Sequence, residues 1–184
     1  MKLIKEIISR IQCRRFGIRY QKDIWIHPSF RCISVNRIEV GGGGTALHNL
    51  TRIDCNGKGH VIIGKGCKFN WGTQIESMSE VIVGNYVLTA PNVHITDRNH
   101  EYHDVSTPII KQDWYSKGPL VIDDGCWIGT NAVIVGAIHI GKNCVIGANS
   151  VVTKNVPDYS VVVGNPARIV KRYNPNTEKW DRCN

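Results

Sequence analysis

Three histidines fall within ten residues of one another, in the stretch PNVHITDRNHEYHD: His94, His100 and His103. Imidazole gains and loses a proton near neutral pH, so a histidine beside a hydroxyl can take its proton and make the oxygen nucleophilic. His94 lies in a strand-like run and His139 at a regular bend, where structural or solvent-facing roles are the usual ones. His100 and His103 stand where a polar segment departs from a strand. Either can be a base, and His103 can equally touch an acceptor. Asp97 and Asp104 are near them in sequence, which by itself names neither as an orienting partner. The seven cysteines, Cys13, Cys32, Cys55, Cys67, Cys126, Cys144 and Cys183, form no CxxC pair and no Cys/His run with zinc spacing. They read as small apolar side chains in a reducing compartment, and no metal is expected. The glycine run at 41–44 lacks the Lys-Ser/Thr of a phosphate-binding loop and reads as a turn.

The scaffold that must position these groups is made of strands. The 184 residues include 24 Ile and 19 Val against 5 Leu, a bias toward side chains stiff at χ1 that suit extended backbone. From Ile122 the chain divides into sixes: IDDGCW, IGTNAV, IVGAIH, IGKNCV, IGANSV, VTKNVP. Neither a helix nor a hairpin alternation has this period. Short strands joined by tight bends do, three to a coil of 18 residues, with the recurring aliphatics turned inward. Cys126 and Cys144, one coil apart, are expected to stack in the interior. Ile63, Phe69 and Ile75 keep the step, and Val83, Thr89 and Ile95 keep it again after a slip of two near 78–82, read as a bulge or widened corner. The phase does not resolve the coils within 24–60. Between Ile95 and Ile122 the spacing leaves the period, so residues 96–120 form an excursion, the kind of long connection that carries function. RIVKRY at 168–173 reads as a basic strand or coil capping the stack.

The net charge of +8 is concentrated: residues 1–22 hold seven cations and one acid. With the body nearly neutral, nucleic acid is not an expected partner. No stretch has the length of a membrane span, and charges interrupt MKLIKEIISRIQCRR too often for a signal-peptide core, so a cytoplasmic location is expected. Leu3, Ile4, Ile7, Ile8 and Ile11 recur at helical spacing, predicting a short amphipathic helix. The expected role is packing on the body or on a partner subunit, with peripheral contact at the inner membrane face also open. The expected division is a basic segment 1–22, a body 23–172 with the loop 96–120, and a tail 173–184.

WIGTNAVI at 127–134, IGANSVVTKNVP at 146–157 and VVGNPARIVKR at 162–172 resemble the hexapeptide-repeat acetyltransferases, especially the galactoside and maltose acetyltransferases and the bacterial polysaccharide O-acetyltransferases. The resemblance implies an all-β, left-handed parallel β-helix with an extruded catalytic loop; parallel crossovers are ordinarily right-handed, so the period alone does not give the hand. It implies a homotrimer with sites between subunits and acetyl-CoA as donor. His100, eight residues after Asn92, matches the family's general base, and Asn70 matches an asparagine that binds acceptor or steadies the reaction centre. Where the family has acidic acceptor contacts this chain has Ser77 and Met78. Trp127, Thr130, Ala148, Thr153 and Lys154 match residues along the pantetheine arm, and Arg168 and Lys171 those facing the phosphates. The implied reaction is O-acetylation of a sugar, free or nucleotide- or lipid-linked, in surface polysaccharide synthesis. N-acetylation of an amino sugar, acetylation of a small molecule or antibiotic, a zinc carbonic anhydrase using three histidines, and a non-catalytic trimeric scaffold are the other readings.

Overall fold

Ile122, Ile128, Ile134, Ile140, Ile146 and Val152, the first residues of successive hexads, are all buried in a single core. In the computed structural model, which describes residues 2–33 and 36–183, they sit on short strands that wind into a parallel β-solenoid of about six turns. Met1 and Asn184, the outermost residues of the expected basic segment and tail, lie outside the described residues, as do Ser34 and Val35. Each turn contributes one strand to each of three sheets. The first sheet stacks Arg19–Tyr20, Ile38–Val40, Val61–Ile63, Val81–Val83, Leu120–Ile122 and His139–Ile140. The second begins with Ile24–Ile26 and runs through Thr45–Leu47, Lys68–Phe69, Leu88–Thr89, Trp127–Ile128 and Val145–Ile146 to Ser160–Val163. The third holds Arg31–Cys32, Arg52–Cys55, Gln74–Ser77, His94–Thr96, Val133–Val135 and Val151–Val152.

Like side chains therefore meet like. Ile53, Ile75, Ile95 and Ile134 align across the third sheet. Cys126 and Cys144 flank the aligned pair Trp127 and Val145 and are both buried. None of the seven cysteines is in a disulfide. Burial pushes the Cys13 and Cys55 thiols up to about 12 and that of Cys67 to about 11, while contact with Cys144 and burial raise that of Cys126. These thiols pack and offer no thiolate chemistry.

Two departures from regularity matter. Val61 aligns with Val81, a step of twenty residues, where Val121 and His139 are eighteen apart. The two extra residues widen the corner at 78–80, and the buried Asp97 carboxylate closes it. Its oxygens accept the N–H groups of Met78 at 2.7 Å, Ser79 at 2.8 Å and Glu80 at 2.9 Å. Such charge-assisted bonds let a carboxylate be buried without a cation. The second departure is the excursion. The next strand of the stack after His94–Thr96 begins only at Leu120, and the intervening chain carries an antiparallel pair, Asn99–His100 against Trp114–Tyr115. The glycine run at 41–44 is structural, since a Cβ on Gly41 would stand 2.6 Å from the Gly64 backbone of the next turn.

Both ends of the stack are covered. The helix Lys2–Phe16 lies on the first turn, where Ile24–Ile26 would otherwise present an open strand edge. The Ser9 hydroxyl accepts the Ile26 N–H at 3.0 Å, and Gln12 Nε2 donates to the Pro28 carbonyl at 2.9 Å. Phe16 meets Phe30 edge-on at 5.5 Å. The expected helix is present and packs on the body, and the side it packs through is Ser9, Gln12, Cys13 and Phe16, away from the stripe of Leu3, Ile4, Ile7 and Ile11. A strand edge needs hydrogen-bonding partners, and only the polar side of the helix supplies them. At the other end Arg168–Asn174 continues the second sheet antiparallel to Ser160–Val163 and pairs with Lys179–Arg182. The first strand thus lies within the segment set apart by charge, and the terminal hairpin takes in much of the expected tail.

Candidate active site

The excursion leaves the far end of the third sheet, and its hairpin stem holds His100. The His100 ring sits 4.1 Å from Trp114, tilted by 47°, and its own strand pairs His100 with Trp114 across the stem. The opposite clamp is a cation: the Arg98 guanidinium lies 3.8 Å from the Trp114 ring centroid. Arg98 Nη2 donates to Glu76 Oε2 at 2.7 Å, and His94 Nε2 stands 3.3 Å from the same oxygen. The neighbouring His94, then Arg98, hold the Glu76 carboxyl below its usual range against the opposing effect of burial. A continuous chain of contacts therefore ties His100 to the outer face of the third sheet through Trp114, Arg98 and Glu76.

Within this clamp, His100 Nδ1 is buried and has no hydrogen-bond partner among the described residues. Asp97 and Asp104, the acids close by in sequence, are engaged elsewhere. Asp97 closes the widened corner, and Asp104 accepts from Ser106, which with Thr107 holds its carboxyl down at about 2. His103 is exposed at the loop, its Nδ1 2.9 Å from Glu101 and its ring stacked on Tyr102 at 4.7 Å. His139 pairs with Asp123 at 2.8 Å on the first sheet. The histidines are thus engaged separately, and among the described residues no group of three His, Cys, Asp or Glu side chains could hold a metal.

Asn70 lies at another corner, between Lys68–Phe69 and Gln74–Ser77. Its Oδ1 accepts the Trp71 N–H at 2.8 Å, which leaves the amide NH2 as the end that can donate to a ligand. Asn70 and His100 therefore stand at opposite ends of the third sheet face, and the fold of one chain does not bring them together.

The seven residues matched to donor contacts are all exposed and divide between corners in the same way. Thr130 and Ala148 occupy equivalent places in successive turns, and Asn149 N–H donates to the Thr130 carbonyl at 2.9 Å. Arg168 follows Ala167, whose N–H donates to Val151 at 2.9 Å, so it lies over that corner. Trp127 stands on the second sheet in register with Leu88 and Val145, and Lys171 pairs with Val161 at its end. Thr153 and Lys154 follow Val151–Val152 at the next corner. Exposed cations beside exposed turn backbone fit a phosphate-bearing thioester.

Sequence reasoning missed Glu76, Arg98 and Trp114. The repeat phase aligns Glu76 with Asp54 and Thr96, neither of which points to Arg98, and nothing periodic sets the pairing of a hairpin inside the excursion. The aromatic pair Trp114–Tyr115 in an otherwise polar loop was the available signal. It also missed an asparagine ladder on the Thr130 corner. Asn92, Asn131 and Asn149 all have φ near 57°, and their side chains bond one another at 3.3 and 3.2 Å.

Comparison with known proteins places this geometry. Residues 119–154 match the family described as bacterial transferase hexapeptide (six repeats). An Escherichia coli (strain K12) protein named for O-acetyl transfer in lipopolysaccharide biosynthesis, WbbJ, is 34% identical over 138 residues, which cover 72% of this chain and 70% of that one. The galactoside O-acetyltransferase of Lactococcus lactis is 32% identical over 120 residues, 65% of this chain and 56% of its own. A hexapeptide-repeat acetyltransferase of Vibrio cholerae, crystallised with acetyl coenzyme A, is 27% identical with a TM-score of 0.53, covering 90% of this chain and 76% of that one. AntD, an N-acyltransferase of Bacillus cereus crystallised with dTDP and 3-hydroxybutyryl-CoA, shares the fold at a TM-score of 0.77 and 15% identity, over 92% of this chain and 89% of its own.

Proposed function

The chain belongs to the hexapeptide-repeat acetyltransferases, and from that premise we propose that it moves an acetyl group from acetyl-CoA to a sugar hydroxyl in surface polysaccharide synthesis. The observation that carries this reading is His100, held on the excursion against Trp114, with a ring nitrogen that no group among the described residues engages.

In the proposed reaction His100 accepts the acceptor's hydroxyl proton as that oxygen attacks the thioester carbonyl. The Asn70 amide or backbone N–H groups stabilise the oxyanion. The carbon–sulfur bond then breaks, and His100 returns the proton to the departing thiolate. No acyl-enzyme forms. Trp127, Thr130, Ala148, Thr153 and Lys154 line the donor's arm, Arg168 and Lys171 meet its phosphates, and His103 touches the acceptor. We assign the active unit as a homotrimer. Its support is the division of both groups of residues between different corners, which an adjoining copy can unite. The absence of disulfides among seven cysteines supports a cytoplasmic location, and the basic N-terminal segment supports work close to an anionic surface.

The test is thiol release from labelled acetyl-CoA with a panel of sugars, amino sugars and nucleotide sugars, with mass spectrometry of the products. An acetyl ester on a sugar supports the reading. An amide product transfers it to N-acetylation, and no release with any acceptor leaves a scaffold as the better account.

A further inference from the structure

The N-terminal helix faces the wrong way for its hydrophobic pattern. Ser9, Gln12, Cys13 and Phe16 turn to the solenoid, while Leu3, Ile4, Ile7 and Ile11 form a stripe on the opposite side and are between 50% and 69% exposed. The inward side is fixed by the backbone edge it must satisfy, so the stripe is a consequence of the cap and has no place in the core of its own chain. A contiguous apolar stripe on a solvent face marks an interaction surface.

The charge around it says which. Arg10, Arg14 and Arg15 lie along the margins and the C-terminal end of the stripe, whereas Lys5 turns to the solenoid, its Nζ 5.3 Å from the Trp25 ring. The one acid of the helix, Glu6, is paired with Arg10 at 2.7 Å. A groove of about 780 Å³ between the helix and the second sheet adds Lys2, Lys5, Lys22 and Lys68 against Glu6 and Asp23, so this end of the molecule is positive on both sides of the helix. We propose that this face docks on an anionic lipid bilayer, the helix lying in the plane of the surface with its four aliphatic residues among the acyl chains and its cations at the headgroups. A second copy of the chain suits the stripe less well, because each face would bring Arg10, Arg14 and Arg15 with a single acid, Glu6, that is already paired with Arg10. A helix of 15 residues lies on a bilayer and does not cross it, and among the described residues no helix is long and apolar enough to span one. The inference develops the surface contact of the proposed function, but the contact needs no acetyl transfer.

The experiment is flotation of the full-length protein with vesicles of phosphatidylcholine alone and of phosphatidylcholine mixed with phosphatidylglycerol. Binding at least tenfold stronger to the anionic vesicles is expected. The combined variant Ile4→Glu, Ile7→Glu and Ile11→Glu should lose it while keeping its assembly size and circular dichroism. Arg14→Ala with Arg15→Ala should weaken it by roughly thirtyfold, at about 1 kcal/mol for each cation removed from the surface. Should the triple variant misfold, Ile7→Trp, changed at a half-exposed position, reports the same contact through a blue shift of its added emission on anionic vesicles. Absence of flotation with anionic vesicles overturns the proposal. So does a smaller assembly in the glutamate variant, which would mean that the stripe is covered by another copy, and so does an unshifted Ile7→Trp spectrum. None of these readouts involves turnover, so failure here leaves the acetyltransferase reading standing.

Discussion

The regular turns from Leu120 to Val152 and the excursion between Thr96 and Leu120 are built on opposite logics. In the turns, each side chain lies against its counterpart one coil away, so Ile128 meets Ile146 and Ile134 meets Val152. Any one contact is repeated, and its meaning is packing. In the excursion no contact repeats. His100 touches Trp114, Trp114 carries Arg98, and Arg98 reaches Glu76. The contrast teaches that stability is shared among many equivalent positions while the proposed chemistry rests on a single strand of contacts.

The largest effect should come from the unshared side. His100→Ala is expected to cut acetyl transfer by about 10²- to 10⁴-fold with the melting temperature unchanged, measured by thiol release and calorimetry. A variant with full activity would remove His100 from the mechanism. Ile128→Ala tests the repeated side and should cost ~2–5 kcal/mol of folding stability. Denaturant titration reads this loss, and a value well under 1 kcal/mol would mean that the stack redistributes the cavity. Asp97→Asn strikes the junction between the two regions. The amide keeps an acceptor but presents hydrogens to N–H groups that also need one, so a loss of ~1–3 kcal/mol is expected, with activity falling as the base of the excursion loosens. The smallest effect concerns pH. Because Glu76 in the fold is held below its ordinary value of 4.5, the unfolded chain takes up that proton first on acidification. Its contribution is complete above about 4.5 and fades as pH falls through the folded value. Glu76→Gln should flatten the acid limb of a stability-against-pH curve, and an unchanged limb would show that the contacts of Glu76 with His94 and Arg98 add nothing.

The same contrast explains what could be read from the sequence. Burial every six residues forces an aliphatic at each first position, so the coils from Ile122 onward, the stacked cysteines and the two-residue slip were legible. The first two turns were not, because Thr45, Ala46 and Asp54 occupy places that Ile or Val fills elsewhere or leave the sixfold step unmarked. The orientation of the N-terminal helix was hidden for a further reason. Its hydrophobic pattern says which side avoids water, whereas the packing was decided by the unpaired strand beneath it. Candidate residues inside the repeats, such as Thr130 and Ala148, could be placed by phase. The partners of His100 could not, since a hairpin register within a long loop obeys no period.

The stacking of turns also makes the solenoid a measure of height. Each turn adds ~4.8 Å, the spacing of neighbouring strands. The helix lies on the first turn and the excursion leaves the fourth, so His100 is carried roughly 15 Å above the base. Adding or deleting a whole turn between them would keep every sheet in register and shift that level by one step. Reach, unlike the chemistry of the loop, is thus set by counting.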